Sequence, residues 1–226
     1  MSGINREVLQ GVLVRSARRL ERRAAELNEL DAKVGDGDMG STLASISHAL
    51  RGDVENLPED LGDCFGQVVR VIGGTSGSSL SAVAMTGFHR IALETKGRTT
   101  VPWSELGGLL KLAVNSMQER SGANLGDKSV IDGLMSVAEA ISQESDPTII
   151  AALADGAVSR TLDEFRGKPS RIGRARLAPQ QGIGQDDPGM VALKRIIEAI
   201  RSTDDEATAA NQSFPAPPLK TGAGRS

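Results

Sequence analysis

Hydrophobic positions along the chain recur mostly at helical spacing, and no stretch shows convincing strand alternation. In the first such stretch, an apolar residue every three or four positions lies beneath an arginine-rich face, as in an amphipathic helix. The pattern predicts an all-α bundle. Its helices are expected at roughly 4–28, 38–51, 58–72, 76–95, 103–121, 127–143, 147–167 and 187–202.

The composition favours the same fold class. The chain has four Phe, one Trp and no Tyr, so Leu, Ile, Val, Ala and Met must fill the core, which favours helices over a sandwich of strands. A chain of 226 residues is long enough for one full domain. We assign residues 1–202 to that domain and expect the small, polar, Pro-rich stretch 203–226 to be a disordered tail.

Charge and cysteine content exclude several classes of protein. The net charge of −3 gives no global attraction to nucleic acid. Cys64 is the single cysteine, so neither an intramolecular disulfide nor a zinc site built from cysteines alone can form. No apolar run approaches the roughly 18 residues of a membrane-spanning helix, and the N-terminus does not resemble a signal peptide. We therefore expect a cytoplasmic protein that binds neither nucleic acid nor membrane.

The stretch KVGDGDMGSTL, residues 33–43, resembles three known loops and fits none of them. A dinucleotide-binding GxGxxG follows a buried strand, whereas Gly35 follows a charged helical segment. A Walker A loop needs Lys directly after its last glycine, where this chain has Ser41. A calcium EF-hand loop that began at Asp36 would need Gly at position 41 and Glu in place of Ser47.

A cluster of three carboxylates remains, formed by Asp31, Asp36 and Asp38 and joined by glycines between two helices. Their mutual repulsion is costly unless a cation lies among them, and Mg²⁺ prefers such oxygen ligands. Bound magnesium would in turn bridge to the phosphates of a nucleotide. The alternative is that these aspartates only form turns and cap the next helix. Their spacing alone does not decide between the two interpretations.

Three further Gly-rich stretches separate predicted helices. GGTSGSS, 73–79, offers backbone amides and hydroxyls to an anion at a helix start, although it would equally suit a close helix crossing. SGANLGDKS, 121–129, and DDPG, 186–189, place Asp at helix starts. The long loop GKPSRIGRARLAPQQGIGQD, 167–186, is expected to be functional because ordering it costs conformational entropy. Together these stretches predict a bundle with polar loops at one end.

Five of these motifs resemble those of one family. The stretches LNELDAKVGDGDMG, GGTSG, GANLGDKS, GRA and GQDDPG occur in the order and spacing found in the L-subunit, or nucleotide-binding domain, of dihydroxyacetone kinases. The resemblance covers roughly residues 5–202. It implies an eight-helix antiparallel barrel that holds ADP or ATP and two magnesium ions in the loops at one end.

The resemblance also implies roles for individual residues. Asp31, Asp36 and Asp38 match the family's metal-binding aspartates. Asp36 and Asp38, with Arg174 of the GRA element, are the expected catalytic residues. The expected nucleotide contacts are Met39, Thr75, Ser76, Gly122, Val130, Arg174, Asp187, Pro188 and Gly189.

A partner is implied as well. In this family a separate K-type subunit or domain holds the ketone substrate, and the terminal phosphate of the nucleotide passes to it. The nucleotide is either exchanged as ATP or retained as ADP and rephosphorylated by a phosphotransferase-system protein. Two other hypotheses stay open: a non-catalytic protein whose nucleotide-ordered loops dock on a transcriptional regulator, and a nucleotide domain like that of fatty acid kinases.

Two positions depart from the family pattern. Met39 stands where the family usually has His, and a thioether cannot donate a hydrogen bond to phosphate. PQQG at 179–182 replaces a GERS-like stretch and removes a positive charge. Because the aspartates remain, we expect nucleotide binding to survive both changes.

Overall fold

In a computed structural model that describes residues 3–202, the protein is an all-α bundle, as the sequence predicts. Nine α-helices lie within the described residues. They are α1 (Arg6–Arg22), α2 (Ala24–Ala32), α3 (Met39–Asp53), α4 (Leu61–Thr75), α5 (Ser79–Glu94), α6 (Leu106–Ser121), α7 (Val130–Ala140), α8 (Pro147–Arg166) and α9 (Pro188–Arg201). The predicted tail, 203–226, lies outside the described residues.

The first predicted helix, 4–28, is two helices that meet at Arg23. The backbone of Arg23 leaves helical geometry, with φ −102° and ψ 8°, and its N–H is shared between the carbonyls of Arg19 (3.1 Å) and Leu20 (3.2 Å). The chain resumes as α2 and continues to Ala32. This additional helix carries the first aspartate of the predicted cluster.

Two short strands close the end of the bundle where α1 begins. Strand β1 (Ile4–Asn5) pairs antiparallel with β2 (Thr100–Val101), and Ile4 lies opposite Val101. Strands of two residues are too short to show alternation in the sequence, which explains why they were not predicted. Asn5 also caps α1, because its side chain accepts a hydrogen bond from the N–H of Val8 at 3.0 Å.

Close contacts show that α4 runs antiparallel to α5, and α6 to α7. At the start of α4, a Cβ on Gly62 would lie 2.6 Å from the carbonyl oxygen of Ala92, near the end of α5. At the start of α6, a Cβ on Gly107 would lie 2.9 Å from the carbonyl oxygen of Ala138, near the end of α7. Helices α3, α5, α7 and α9 therefore all begin at one end, which we call the loop end. The connections 33–38, 76–78, 122–129 and 167–187 lie there.

The core is built from aliphatic side chains, as the shortage of aromatic residues predicts. Leu27, Leu61, Val68, Val158 and Met190 are each 1% exposed or less. Cys64 packs with Leu61 and Val68 as a small apolar residue, and its thiol donates to the carbonyl of Pro58 at 3.0 Å. Among residues 3–202, no helix has the length and hydropathy that a membrane span requires.

Candidate functional site

The connection between α2 and α3, residues 33–38, is held by one carboxylate, and we call it the aspartate loop. Asp31, in the last turn of α2, is 8% exposed. Its Oδ2 accepts hydrogen bonds from the backbone N–H groups of Gly37 (3.0 Å), Asp38 (3.1 Å) and Met39 (3.2 Å). Gly37 has φ +77°, which glycine adopts without steric cost. Asp31 thus folds the loop back over the end of α2.

Two further features fix this loop. A Cβ at Gly35 would overlap Oδ1 of Asp31, so any other residue there would have to displace the carboxylate that holds the loop. Asn28 binds the start of α3: its Oδ1 accepts from the N–H of Ser41 at 3.0 Å, and its Nδ2 donates to the Ser41 hydroxyl at 2.9 Å. Asn28 is not among the residues predicted from the sequence, although its i,i+3 spacing places it on the same face of α2 as Asp31.

Asp36 and Asp38 bring two more carboxylates to Asp31. One oxygen from each of the three lies within 4.8 Å of the others. Asp36 and Asp38 are exposed, whereas Asp31 is buried. Carboxylates this close repel one another unless a cation lies among them, and oxygen ligands of this kind suit a hard divalent ion. The set of donor atoms therefore fits magnesium.

A helix-capping role accounts for only one of the three aspartates. Asp31 accepts hydrogen bonds at the start of α3. Asp38 occupies the N-cap position, but its side chain makes no capping hydrogen bond. Asp36 points its carboxylate at an arginine from another part of the chain. Two of the three carboxylates are thus left without the structural role that the alternative interpretation requires.

That arginine is Arg174, in residues 167–186, which we call the arginine segment. Its Nη1 forms an ion pair with Oδ2 of Asp36. Gly173, with φ +64°, turns the chain into a short 3₁₀ helix, Arg174–Leu177. The side chain of Arg174 is 66% exposed and that of Asp36 is 37% exposed, so the pair contributes no more than about 1 kcal/mol to stability. Its consequence is positional, because it places a cation beside the carboxylate cluster.

In the stretch 73–79 the two helix ends are shifted from their predicted positions: α4 ends at Thr75 instead of 72, and α5 begins at Ser79 instead of 76. Helix α4 continues to Thr75, whose hydroxyl donates to the carbonyl of Val71 at 2.7 Å. The Ser76 hydroxyl accepts from the N–H of Ser78 (3.2 Å) and from the Ser81 hydroxyl (2.9 Å). Ser78 caps α5 by accepting from the N–H of Ser81 at 3.1 Å. Thr75 and Ser76 make these hydrogen bonds within residues 71–81 and not to the aspartate loop.

Loop 122–129 is folded by its own polar groups. Gly122 ends α6 with φ +71°, where glycine is favoured. The N–H of Gly126 donates to Oδ1 of Asp132 at 2.5 Å. Ser129 and Asp132 form a capping box at the start of α7. The S-x-x-D spacing is a known signal of such a box, yet Asp132 is not among the predicted residues.

The predicted contacts Val130 and Asp187 to Gly189 lie side by side. A Cβ at Gly189 would lie 3.1 Å from the Cβ of Val130 and 3.1 Å from Oδ1 of Asp187. Pro188 takes the first position of α9, and Asp187 caps the helix by accepting from the N–H of Met190 at 2.8 Å. Burial raises the pKa of Asp187 to about 7, against the opposing effects of that hydrogen bond and of Lys128.

Lys128, two residues before Val130, contacts the arginine segment. Its side chain is 2% exposed, and its Nζ donates to the carbonyls of Arg166 (3.3 Å), Lys168 (2.9 Å) and Gly182 (2.6 Å). Desolvation lowers the pKa of Lys128, while the charges of Asp187 and Asp186 act to raise it. Lys128 lies within the motif GANLGDKS, but its contacts could not be predicted, because its acceptors are backbone carbonyls far away in the chain.

At one end of this all-α bundle lie a carboxylate cluster, an arginine and several capped helix starts. These features are typical of a domain that binds a metal ion and an anion. The DAK2 domain matches residues 33–202, and the chain therefore belongs to the DAK2 domain family. It is 25% identical over 191 residues to the ADP-binding subunit DhaL of PEP-dependent dihydroxyacetone kinase 1 from Listeria innocua, covering 82% of this chain and 90% of that subunit. It is 25% identical over 182 residues to the corresponding Escherichia coli subunit, covering 77% and 85%.

Longer kinases contain a similar domain. The dihydroxyacetone kinase of Citrobacter freundii is 27% identical over 186 residues, which cover 79% of this chain and 32% of that protein. The crystal structure of the C. freundii enzyme with AMP-PNP and Mg²⁺ superimposes with a TM-score of 0.69 at 23% identity, covering 89% of this chain and 34% of the other. The fold is thus shared, and this chain corresponds to about a third of the single-chain kinase.

Proposed function

We propose that this chain is the nucleotide-binding subunit of a dihydroxyacetone-type kinase. It holds ADP or ATP with two magnesium ions at the loop end, and the terminal phosphate passes to a short ketose on a separate K-type subunit in the cytoplasm. The observation that carries this proposal is the convergence of Asp31, Asp36 and Asp38 beside Arg174. Similarity to ADP-binding subunits over most of both chains supports it.

In this proposal the three aspartates hold the magnesium, which supplies positive charge to the phosphate oxygens. Asp31 keeps the loop backbone folded so that the carboxylates of Asp36 and Asp38 converge. Arg174 adds a positive charge at the same place. Positioning and charge neutralisation account for most phosphoryl-transfer catalysis, so the site needs no nucleophilic side chain.

The remaining predicted contacts divide between phosphates and nucleoside. Thr75 ends α4 and Ser76 follows it, so both lie shortly before α5, and the N–H groups of a helix's first turn favour an anion. Gly122, Val130 and the segment Asp187 to Gly189 form the proposed nucleoside site, in which Gly189 lies close to Val130 because it has no side chain. Met39 is half-buried and contributes its backbone N–H to Asp31.

The sugar is expected to bind to the partner, because the family resemblance assigns it to the K-type subunit. The two relatives of similar length are named as ADP-binding subunits of PEP-dependent kinases. Those names favour a retained ADP that a phosphotransferase-system protein rephosphorylates. A much higher affinity for ADP than for ATP would support that mode, and similar affinities would favour exchange of ATP.

Calorimetric titration of ADP and ATP into the nucleotide-free chain, with and without magnesium, tests the site. We expect magnesium-dependent binding that Asp36→Asn abolishes. Asp63→Asn is the matched control, because Asp63 is an exposed aspartate that also pairs with a cation, Lys96, but lies at the start of α4, away from the loop end. Wild-type affinity in the Asp36→Asn variant would contradict the metal assignment.

A further inference from the structure

Lys128 combines two features that each cost free energy. Its ammonium group is almost fully buried, and no carboxylate lies within ion-pair distance of it among the described residues. Its backbone has φ +64°, in the left-handed region that non-glycine residues rarely adopt. Such a conformation costs on the order of 1 kcal/mol and persists only where the surrounding structure enforces it.

The three hydrogen bonds of Lys128 offset these costs, and their acceptors show what the residue does. An ammonium group has three donors, and each is used by one carbonyl. Arg166 and Lys168 lie where the arginine segment begins, and Gly182 lies where it ends. Lys128 therefore clamps the two ends of the segment together. The N–H of Gly184 donates to the carbonyl of Arg166 at 2.8 Å, which joins the same two ends, the base of the segment, directly.

Further contacts continue from this clamp to Arg174. The N–H of Arg171 donates to the carbonyl of Asp127 at 3.0 Å, directly beside Lys128 in the chain. Ile172 packs on the apolar cluster that contains Ala123 and Ile131. Two residues later, Arg174 reaches Asp36. The segment is thus fixed at its base and along one side, while its tip carries the arginine to the carboxylate cluster.

We propose that Lys128 is a positioning residue that holds the arginine segment against loop 122–129 and so keeps Arg174 beside Asp36. The same clamp links the proposed nucleoside site to the proposed phosphate site. The consequence for phosphoryl transfer rests on the proposed function, whereas the clamp itself does not.

Tryptic cleavage of the native full chain tests the clamp without nucleotide or partner. Arg171, Arg174 and Arg176 lie within the segment, and mass spectrometry distinguishes cuts at each of them. Lys128→Met removes the three donors but keeps an unbranched side chain that suits a buried site. We expect cleavage at these arginines to accelerate about tenfold or more, as local opening requires less free energy. Cleavage at the wild-type rate in folded Lys128→Met would overturn the proposal.

Two controls separate the clamp from general destabilisation. Lys111→Met on α6 also removes a partly buried lysine, but it lies ten residues before the loop end, about 15 Å along the helix, and should not change cleavage. Gly182→Ala perturbs the clamp from the segment side, because its Cβ would lie 2.5 Å from the Ser170 hydroxyl, and it should also accelerate cleavage. Loss of the whole fold in both Lys128→Met and Gly182→Ala would overturn the proposal, since the effect should be confined to the segment.

Kinetics with the K-type partner test the consequence for Arg174. Lys128→Met should lower kcat about tenfold or more while KM for nucleotide changes little. In the Arg174→Ala background, Lys128→Met should cause no further loss, because the clamp acts through that arginine. Equal losses in both backgrounds would overturn the positioning role. Absence of nucleotide binding in the wild type would instead contradict the proposed function and leave the cleavage result standing.

Discussion

The aspartate loop and the arginine segment meet at the ion pair of Asp36 with Arg174, yet they are held in opposite ways. The aspartate loop is held by an anion: Asp31, just before the loop, accepts hydrogen bonds from N–H groups six to eight residues later in the chain. The arginine segment is held by a cation: Lys128, outside the segment, donates hydrogen bonds to carbonyls 38, 40 and 54 residues later. Local hydrogen bonds fix the first, and tertiary hydrogen bonds fix the second. The two should therefore respond differently to mutation.

Their glycines differ in the same way. Gly40, just after the aspartate loop, sits where α3 crosses α2 so closely that a Cβ would overlap the carbonyl oxygen of Ala24. Of the four glycines in the arginine segment, Gly167, Gly173 and Gly184 have open space around the Cβ position, and only Gly182, at the clamp, lies close against a neighbour, Ser170. The loop is thus built against a rigid crossing, whereas the segment lies over the surface and depends on its clamp.

The largest expected effect breaks that crossing. Gly40→Ala forces backbone apart at the contact of α2 with α3 and should lower the free energy of unfolding by about 3 kcal/mol or more. Gly52→Ala, in the same helix but in open space, should instead be neutral or stabilising by up to about 1 kcal/mol. Urea denaturation followed by circular dichroism measures both. Equal effects of the two substitutions would show that the crossing is not tight.

Removal of the anion comes next. Asp31→Ala leaves three N–H groups without their acceptor, which should lower the free energy of unfolding by about 2–3 kcal/mol, and we expect magnesium-dependent nucleotide binding to be lost. Asp31→Asn keeps an acceptor oxygen, so stability should fall less while metal binding still suffers. Urea denaturation and calorimetry separate the two effects. A stability of Asp31→Ala equal to that of wild type would show that the loop is held by other contacts.

The contrast explains how much of the site the sequence could predict. Asp31, Asp36 and Asp38 fall within eight positions, so their convergence follows from a short connection between two helices. The all-α fold follows from periodicity and the shortage of aromatic residues. The contacts of Lys128, which lies in the motif GANLGDKS, could not be predicted, because backbone carbonyls carry no sequence signature and its acceptors are 38 to 54 residues away. The end of α4 was predicted too early, because Gly73 and Gly74 have low helix propensity, yet the helix continues to Thr75.

The break at Arg23 escaped prediction for a related reason. Apolar positions continue in register from Leu20 to Leu27, and both side chains are buried, so periodicity alone reads one helix. The break is a change in the backbone angles of Arg23 alone. Arg23 is not one of the apolar positions, so the hydrophobic periodicity does not reveal it. Local spacing thus predicted which residues are at the loop end, but not the tertiary contacts that orient them.

A pH effect is expected where the arginine segment ends. Burial raises the pKa of Asp187 to about 7, above its value of about 3.9 in an unfolded chain. The native state therefore holds a proton that the unfolded state releases, so this group's contribution to stability falls as pH rises from about 4 to 7. Asp187→Asn keeps the cap but cannot ionise. Between pH 5 and 8 the wild type should lose on the order of 2–3 kcal/mol relative to this variant, whereas parallel pH profiles in urea denaturation would contradict the raised pKa.

The smallest expected effect concerns the exposed ion pair at the base of the segment. Asp186 accepts hydrogen bonds from Nε (2.8 Å) and Nη2 (3.2 Å) of Arg166. Like the hydrogen bonds of Lys128, this pair joins the two ends of the arginine segment. The Arg166 side chain is 46% exposed, so Asp186→Asn should lower stability by no more than about 0.5 kcal/mol, and less in high salt.

Tryptic cleavage at Arg174 should be nearly unchanged in Asp186→Asn, because the buried ammonium and not the surface pair holds the segment. If this variant opened the segment as readily as Lys128→Met, the base would depend on side-chain charges at the surface. The contrast between an anion-held loop and a segment clamped by a buried cation would then be wrong.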